Sequence, residues 1–346
     1  MPYDFDKITT LQIDCTSYCN SFCGECARNI QGGEKHPHLK LQHMTLDMWE
    51  NITANNSLEY IDKIIFNGNF GDICMHPNIL EILEYVNRTK KDISIQIHTN
   101  GSNRTLEFWK DLAIVLKKFS GHEVIFGIDG LEDTSSRYRR GTNFNTTIEN
   151  AKAMIAEDAF VTWRFIVFDH NKHQIEEASK YAKSLGFTRF VLNRSYNTDF
   201  KVKEYKSFPA DHITAPSRNE VKDLLEKYRF NNKQEEYKQI TKNNPISSSC
   251  PWESDRQIQI DFLGRVLPCC YFSMLPIKRD VDTGKVYGSY KWLEDKYNEY
   301  DDFNDLSKHS LKDILSHKFF KEDLITAWNN NEFDVCNKCQ GKTTIK

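Results

Sequence analysis

Six short apolar runs, rich in β-branched residues, alternate with amphipathic patterns over the N-terminal part of the chain. The segments between the runs predict helices, with Thr45 as an N-cap and Gly186 as a C-cap. This alternation predicts parallel βαβ units, and therefore an open barrel or a doubly wound sheet. In such folds, sites lie at the C-terminal ends of the strands. The predicted strands are 8–15, 61–68, 93–100, 123–129, 161–168 and 189–193.

Three cysteines with CxxxCxxC spacing follow the first predicted strand: Cys19, Cys23 and Cys26. Three thiolates from one short loop can bind three irons of a [4Fe–4S] cluster, which leaves the fourth iron open for chemistry. Zinc is the alternative, with Cys15 as the fourth ligand, because zinc accepts four thiolates at similar spacings.

Composition limits the cellular compartment in which the protein is expected and the kinds of partner it is expected to bind. The net charge of −3 is small and both signs are spread along the 346 residues, so nothing in the sequence supports nucleic-acid binding. There is no membrane-length apolar run and no signal pattern at the N-terminus, which predicts a cytoplasmic protein without a membrane segment. In a reducing compartment the ten cysteines are interpreted as metal ligands rather than as disulfides.

Small, amide and carboxylate residues collect at the predicted strand ends. The second strand ends in FNGNFGDICMHP, the third in HTNG and the fourth in GIDG, and the fifth carries Arg164 and is followed by Asn171. Taken singly, these segments are ordinary turns or surface positions. In order, behind a CxxxCxxC loop, they favour one cofactor site over a zinc knuckle. With these motifs the sequence resembles the radical S-adenosylmethionine enzymes over nearly its whole length.

The resemblance implies that S-adenosylmethionine binds the open iron and that Asp72 holds the methionine ammonium. It also makes the YRRG segment after GIDG part of the family's "SIDG…RG" pattern. Two residues depart from the family: Gly127 stands in place of the usual serine, and Glu25 stands where an aromatic residue often stacks on the adenine. The implied cofactor-binding residues are Gly71, Asp72, Thr99, Asn100, Asp129, Arg164 and Asn171.

Residues 196–249 are polar and predict a connecting segment with one or two solvated helices, or alternatively a lid over the substrate. Beyond them, an alternating stretch predicts a hairpin that turns near Leu263-Gly264. A second cysteine set comprises Cys250, Cys269, Cys336 and Cys339, whose spacing fits either zinc or an iron–sulfur cluster. This arrangement resembles the Twitch domain, a shortened SPASM domain, which implies one auxiliary [4Fe–4S] cluster.

Three further cysteines are assigned less specific roles. Cys15 and Cys74 are predicted to be buried as small hydrophobic residues. Cys270 is interpreted as an outward-pointing neighbour of Cys269, with a spare ligand or a hydrogen-atom donor as the alternatives.

The expected architecture is therefore a partial (β/α)6 TIM barrel of the radical S-adenosylmethionine type in 1–195, a polar linker or lid in 196–249, and a small α+β Twitch domain in 250–346. The resemblance implies two [4Fe–4S] clusters, S-adenosylmethionine, a flavodoxin or ferredoxin as electron donor, and a 5′-deoxyadenosyl radical that abstracts a hydrogen atom. It favours a ribosomally made peptide as substrate. The alternatives are a small alcohol or aminocyclitol dehydrogenase and a non-catalytic iron–sulfur or zinc protein.

A recognition partner is expected on the peptide interpretation. The first strand begins near Ile8, which leaves no room before it for a winged-helix domain that captures a peptide leader by strand addition. A separate small protein is therefore expected to recognise the peptide.

Overall fold

The computed structural model describes residues 4–231, 250, 252, 255–280 and 282–338. Its strands are β1 Thr10–Ile13, β2 Lys63–Phe66, β3 Ser94–Thr99, β4 Gly121–Gly127, β5 Val161–Val167, β6 Arg189–Arg194, β7 Asp199–Val202, β8 Asp211–Thr214, β9 Phe230–Asn231, β10 Gln257–Ile260 and β11 Val266–Leu267. Its α-helices are α1 Leu46–Thr53, α2 Ile79–Thr89, α3 Leu106–Leu116, α4 Ser135–Tyr138, α5 Phe144–Ala156, α6 Ile175–Leu185, α7 Arg218–Tyr228, α8 Gly288–Glu299, α9 Leu311–Ser316 and α10 Leu324–Asn329.

Strands β1 to β6 pair in sequence order, each parallel to the next, and helices connect them. This arrangement confirms the predicted α/β barrel type. The predicted caps are also confirmed, because the Thr45 side chain accepts a hydrogen bond from the Met48 N–H and Gly186 has a φ of 90°. A left-handed φ of this kind favours glycine at a helix C-terminus.

Alternation along the strands separates two faces of the sheet. In β3, Ile95 and Ile97 are buried in the main apolar core, whereas Gln96 and His98, which alternate with them, are only partly buried. Because successive side chains of a strand point to opposite faces, the second set lines the inside of the barrel. The barrel interior is therefore polar, and the apolar face of the sheet packs under the helices.

The described part of 196–249 differs from the prediction of helices alone. It contains an antiparallel hairpin of β7 and β8, helix α7 and the short strand β9, which pairs with β6. The hairpin contacts the cysteine loop, because a Cβ placed at Gly24 would lie 2.8 Å from the Phe200 ring and 2.9 Å from Val202. The remainder of this predicted segment, 232–249, lies outside the described residues.

The C-terminal region extends the barrel sheet. Strand β10 pairs parallel with β1 on the side opposite β2, and β11 pairs antiparallel with β10. Gly264 has a φ of 78° in the turn between β10 and β11, as expected for the predicted hairpin. The predicted boundary at residue 250 therefore does not separate two independent sheets. In the part of the chain described, no helix is long and apolar enough to cross a membrane.

Candidate active site

The cysteine loop begins directly after β1 and supplies sulfur atoms that accept hydrogen bonds. The Cys19 Sγ accepts from the Ser21 N–H at 3.4 Å and from the Asn100 side-chain amide at 3.8 Å. The Cys23 Sγ lies 3.0 Å from the Ser21 hydroxyl. Hydrogen bonds to sulfur help to set the properties of an iron–sulfur cluster. The donor set around the cysteines is therefore one that fits such a cluster.

Burial raises the pKa of all three thiols, that of Cys26 to about 11. The nearby Arg139 opposes this effect at Cys23, and Arg28 and Arg139 oppose it at Cys26. A bound metal deprotonates a coordinating thiol outright, so this loop becomes a thiolate site when it carries metal. Among the described residues, no three His, Cys, Asp or Glu side chains are arranged to share a single metal ion.

The segment after β2 lies directly on the cysteine loop. A Cβ at Gly71 would lie 2.2 Å from the Thr16 carbonyl oxygen, so only glycine permits this approach. The next residue, Asp72, donates its backbone N–H to the Tyr18 carbonyl at 2.9 Å. The two motifs that the sequence predicted to share a site are thus in contact through their backbones.

Asp72 connects this segment to the end of β3. Its carboxylate accepts hydrogen bonds from the Thr99 hydroxyl at 2.9 Å, from the Asn100 N–H at 2.7 Å and from the Cys74 N–H at 3.0 Å. The residue is 4% exposed, and burial raises the pKa of its carboxyl group. The Asn103 side chain is a further hydrogen-bond donor to this carboxylate. A carboxylate has about four acceptor positions, so protein donors already use them. The ammonium contact predicted for Asp72 remains a prediction.

The structure therefore brings four predicted residues together beside Cys19: Gly71, Asp72, Thr99 and Asn100. The Asn100 side-chain N–H also donates to the Asn20 side-chain oxygen at 2.8 Å, which ties the end of β3 to the cysteine loop.

A second group lies at the ends of β4 and β5. Asp129 is fully buried, accepts a hydrogen bond from the Ile166 N–H at 2.7 Å, and lies 2.7 Å from Arg139 Nε. Arg164, on β5, has its Nη1 2.9 Å from Nδ1 of His98. Both Asp129 and Arg164 were predicted from the sequence as cofactor-binding residues, whereas Arg139 and His98 were not.

Asn171 has a different environment from the one predicted. It is fully buried, its side-chain amide donates to the carbonyls of Asp129 and Ile166, each at 3.0 Å, and its oxygen accepts from the Phe168 N–H at 2.8 Å. The partners in all three of these hydrogen bonds are backbone groups. Asn171 thus braces the backbone that carries Asp129, and its predicted cofactor role remains a prediction.

The second cysteine set is described in part. Cys269 lies close enough to Cys250 and Cys270 for their charges to raise the pKa of its thiol, an effect second to that of burial. The Tyr290 hydroxyl is buried without a hydrogen-bond partner among the described residues, and its pKa is raised by burial, by Asp334 and by Cys269 and Cys270. An unpartnered buried donor beside these cysteines fits a cluster that accepts hydrogen bonds. Cys339 lies outside the described residues.

Two of the other cysteines, Cys15 and Cys74, are buried as predicted. Cys15 and Cys74 are 2% and 1% exposed and belong to the main apolar core, which confirms their predicted burial. Cys270 is partly exposed.

Comparisons with known proteins agree with this architecture. Residues 250–340 match the SPASM family, described as an iron–sulfur cluster-binding domain. SuiB of Streptococcus suis bound to S-adenosylmethionine has a TM-score of 0.52 at 17% identity, and the match covers 77% of this chain and 61% of SuiB. SuiB bound to the precursor peptide SuiA has a TM-score of 0.57 at 16% identity, with 92% and 68% covered. The anSMEcpe structure with bound AdoMet has a TM-score of 0.57 at 14% identity, with 96% and 85% covered.

The chain has the fold of a radical S-adenosylmethionine enzyme. Its C-terminal region is of the SPASM type, as the resemblance implied. The chain spans less than two thirds of SuiB in the first of these matches. No curated protein matches the sequence significantly.

Within this radical S-adenosylmethionine fold, the environment of Glu25 explains its departure from the aromatic pattern. Its carboxylate accepts hydrogen bonds from the Ser195 hydroxyl and from the Asn197 N–H, the latter at 2.9 Å. Between these two residues, Tyr196 is 91% exposed. Glu25 thus fastens the cysteine loop to the turn after β6. This turn borders a cavity of about 560 Å³ lined by Leu192, Asn193, Arg194, Ser195, Tyr196, Asn219, Val221 and Lys222.

Proposed function

We propose that this protein is a radical S-adenosylmethionine enzyme that removes a hydrogen atom from a substrate C–H bond. The observation that carries the proposal is the contact between the cysteine loop and the Gly71–Asp72 and Thr99–Asn100 segments, in a barrel of this type. A reduced cluster with an open iron would supply the electron that cleaves bound S-adenosylmethionine. That cleavage would give the radical that abstracts the hydrogen atom.

The residues of the chain have distinct roles in this proposal. Cys19, Cys23 and Cys26 would bind the first [4Fe–4S] cluster, and the Ser21 and Asn100 donors would stabilise its sulfur atoms. Asp72 orients the ends of β2 and β3 around that loop through hydrogen bonds from Cys74, Thr99 and Asn100. The methionine ammonium would share this carboxylate with its protein donors or replace one of them.

A second [4Fe–4S] cluster bound by Cys250, Cys269, Cys336 and Cys339 is part of the proposal. The SPASM match and the unpartnered Tyr290 hydroxyl beside Cys269 and Cys270, among the residues described, support it. A flavodoxin or ferredoxin is proposed as the external electron donor.

A ribosomally made peptide is the proposed substrate, to be crosslinked, epimerised, oxidised or excised. Peptide-bound structures of similar fold, among them SuiB with SuiA and anSMEcpe with Cp18Cys, support this choice at the level of fold. A small alcohol or aminocyclitol is the second candidate, because such a ligand fits wholly within a barrel mouth.

Cleavage of S-adenosylmethionine tests the proposed chemistry. Reconstituted, reduced protein incubated anaerobically with S-adenosylmethionine should form 5′-deoxyadenosine and should contain about eight irons, four for each cluster. Replacing Cys19, Cys23 and Cys26 by Ala should remove about half of the iron and all of the 5′-deoxyadenosine.

Cys15→Ala is the matched control, because Cys15 belongs to the zinc alternative and not to the cluster. This variant should keep its iron and its cleavage activity. Zinc that persists on reconstitution with iron, or loss of metal on the Cys15 substitution alone, would show that the loop is a zinc site.

A binding measurement tests the proposed substrate and partner. The enzyme should bind a candidate precursor peptide weakly by itself and at least tenfold more tightly when a separate small recognition protein is added, measured by fluorescence anisotropy. Equal affinity without the added protein would remove the need for a partner. Turnover of a free sugar or aminocyclitol would contradict the peptide substrate.

A further inference from the structure

Tyr290 lies in the first turn of helix α8, and its hydroxyl group is buried without a hydrogen-bond partner among the described residues. The side chain belongs to the main apolar core, and the residue is 7% exposed. A buried hydroxyl without a partner has lost the hydrogen bonds that it makes with water in the unfolded chain, which is costly and rare in native proteins. The hydroxyl of Tyr290 therefore calls for an acceptor that the described residues do not supply.

The start of α8 is fastened to the turn that carries Cys336. The Ser289 N–H donates to the Asp334 carboxylate at 2.9 Å, and the Ser289 hydroxyl donates to the same oxygen. The Val335 N–H in turn donates to the Ser289 hydroxyl at 3.3 Å. Tyr290 follows Ser289 directly, so its backbone lies one residue from this hydrogen-bonded junction. The Asp334 carboxylate is the nearest anion on this side, yet it accepts from Ser289 and not from the Tyr290 hydroxyl.

The start of α8 also packs against the segment that carries Cys269. The Phe272 N–H donates to the Cys269 carbonyl at 3.1 Å, so Phe272 closes a turn that begins at this cysteine. The Phe272 ring lies 6.4 Å from the Trp292 ring of α8, measured between ring centroids. Tyr290 therefore lies on the part of α8 that contacts both the Cys269 segment and the Cys336 segment.

The electrostatic environment of the Tyr290 hydroxyl includes the second cysteine set. Burial raises the pKa of Tyr290, and the negative charges of Asp334, Cys269 and Cys270 raise it further. The hydroxyl therefore stays protonated at neutral pH and can donate a hydrogen bond. A bound metal deprotonates its cysteine ligands, so the loaded protein would present negatively charged sulfur to this donor.

We propose that the Tyr290 hydroxyl donates a hydrogen bond to a sulfur atom of the second [4Fe–4S] cluster and thereby raises the reduction potential of that cluster. This inference rests on the proposed function, which assigns a cluster to the second cysteine set. One-electron reduction adds a negative charge to a cluster, and a hydrogen-bond donor stabilises the more negative state. Tyr290 would thus make the second cluster a better acceptor of one electron than it would be without the hydroxyl.

The test is the midpoint potential of the second cluster in Tyr290→Phe, which removes the hydroxyl and keeps the ring. The potential is measured by redox titration of the reconstituted full-length enzyme, followed by EPR. The variant with Ala at Cys19, Cys23 and Cys26 identifies the signal that belongs to the second cluster. Tyr290→Phe should make reduction of this cluster about tenfold less favourable, which corresponds to a fall of about 59 mV for one electron. The potential of the first cluster should not change.

Two further variants separate the hydrogen bond from packing. Tyr287→Phe removes the hydroxyl of a tyrosine that is 68% exposed, three residues earlier, and it should leave both potentials unchanged. Replacing Tyr290 by 3-fluorotyrosine makes the hydroxyl more acidic and therefore a stronger donor, so it should raise the potential of the second cluster. This replacement also preserves the shape of the side chain, so it tests the inference even if Tyr290→Phe fails to fold.

A purely structural role of Tyr290 gives a different result. If the hydroxyl has no partner in the loaded protein either, Tyr290→Phe should raise the thermal unfolding midpoint and leave the potential unchanged, which would overturn the inference. An unchanged potential with 3-fluorotyrosine in an enzyme that holds both clusters would also overturn it. Wild-type protein that holds zinc, or only about four irons, would instead contradict the second cluster of the proposed function, and the inference would fail with it.

Discussion

At the scale of single residues, Asp14 links the end of β1 to the C-terminal region. It is 1% exposed and accepts hydrogen bonds from the Asn69 side chain at 2.8 Å and from the Gln259 side chain at 3.1 Å. Burial raises its pKa to about 7, against the opposing hydrogen bonds from Asn69. Between about pH 4 and 7 the native state thus binds a proton that the unfolded chain has released. Asp14 therefore costs stability progressively as the pH rises through this interval.

Asp14→Asn should remove this dependence. The wild type should lose stability relative to the variant by up to about 1.4 kcal/mol per pH unit between pH 5 and 7, and little more above pH 7. The Gln259 side-chain oxygen is buried without a partner among the described residues, so it can accept a hydrogen bond from the amide that the substitution introduces. Unfolding midpoints of the anaerobic holoprotein measure the effect, with the exposed Asp47→Asn as control. Parallel pH profiles for wild type and Asp14→Asn would disprove it.

At the scale of elements, local patterns predicted the barrel but not the contacts made across it. The six strands and their helices follow from periodicity, and Gly186 and Thr45 mark helix ends because their chemistry is local. The hairpin of β7 and β8 was missed, because it lies in a polar segment and is stabilised by packing of Phe200 and Val202 on the cysteine loop. Such packing overrides local propensity and leaves no periodic signal in the sequence.

The same difference between local patterns and contacts across the fold explains which site residues were predicted from the sequence. The segments that contain Gly71, Asp72, Thr99 and Asn100 were identifiable because strand ends share one edge of a parallel sheet, and the family resemblance implied the roles of these four residues. Arg139 was identified only as part of the YRRG segment, and its position beside Gly127 was not predicted because it depends on a short helix and a loop. The hydrogen bonds from the Asn171 amide to two backbone carbonyls were not predicted, because the sequence does not reveal such contacts.

At the scale of the whole molecule, the C-terminal region completes the sheet that carries the first cysteine loop. Strand β1 has β2 on one side and β10 on the other, with Ile13 opposite both Phe66 and Ile260. Removing 250–346 would leave β1 as an edge strand with unpaired backbone groups and an apolar face, which is a template for aggregation. The cysteine loop begins directly after that strand, so disorder of β1 would also disorder the loop.

A chain truncated after residue 249 should therefore aggregate and retain far fewer than the about four irons expected of one cluster, measured by iron analysis and size-exclusion chromatography. The full-length Cys269→Ala, Cys336→Ala variant is the control, because it removes ligands of the second cluster but keeps β10. It should remain monodisperse and hold about four irons in the first site. If the truncated chain matches this variant in both measurements, β10 is dispensable for the first site and the barrel is complete without the C-terminal region.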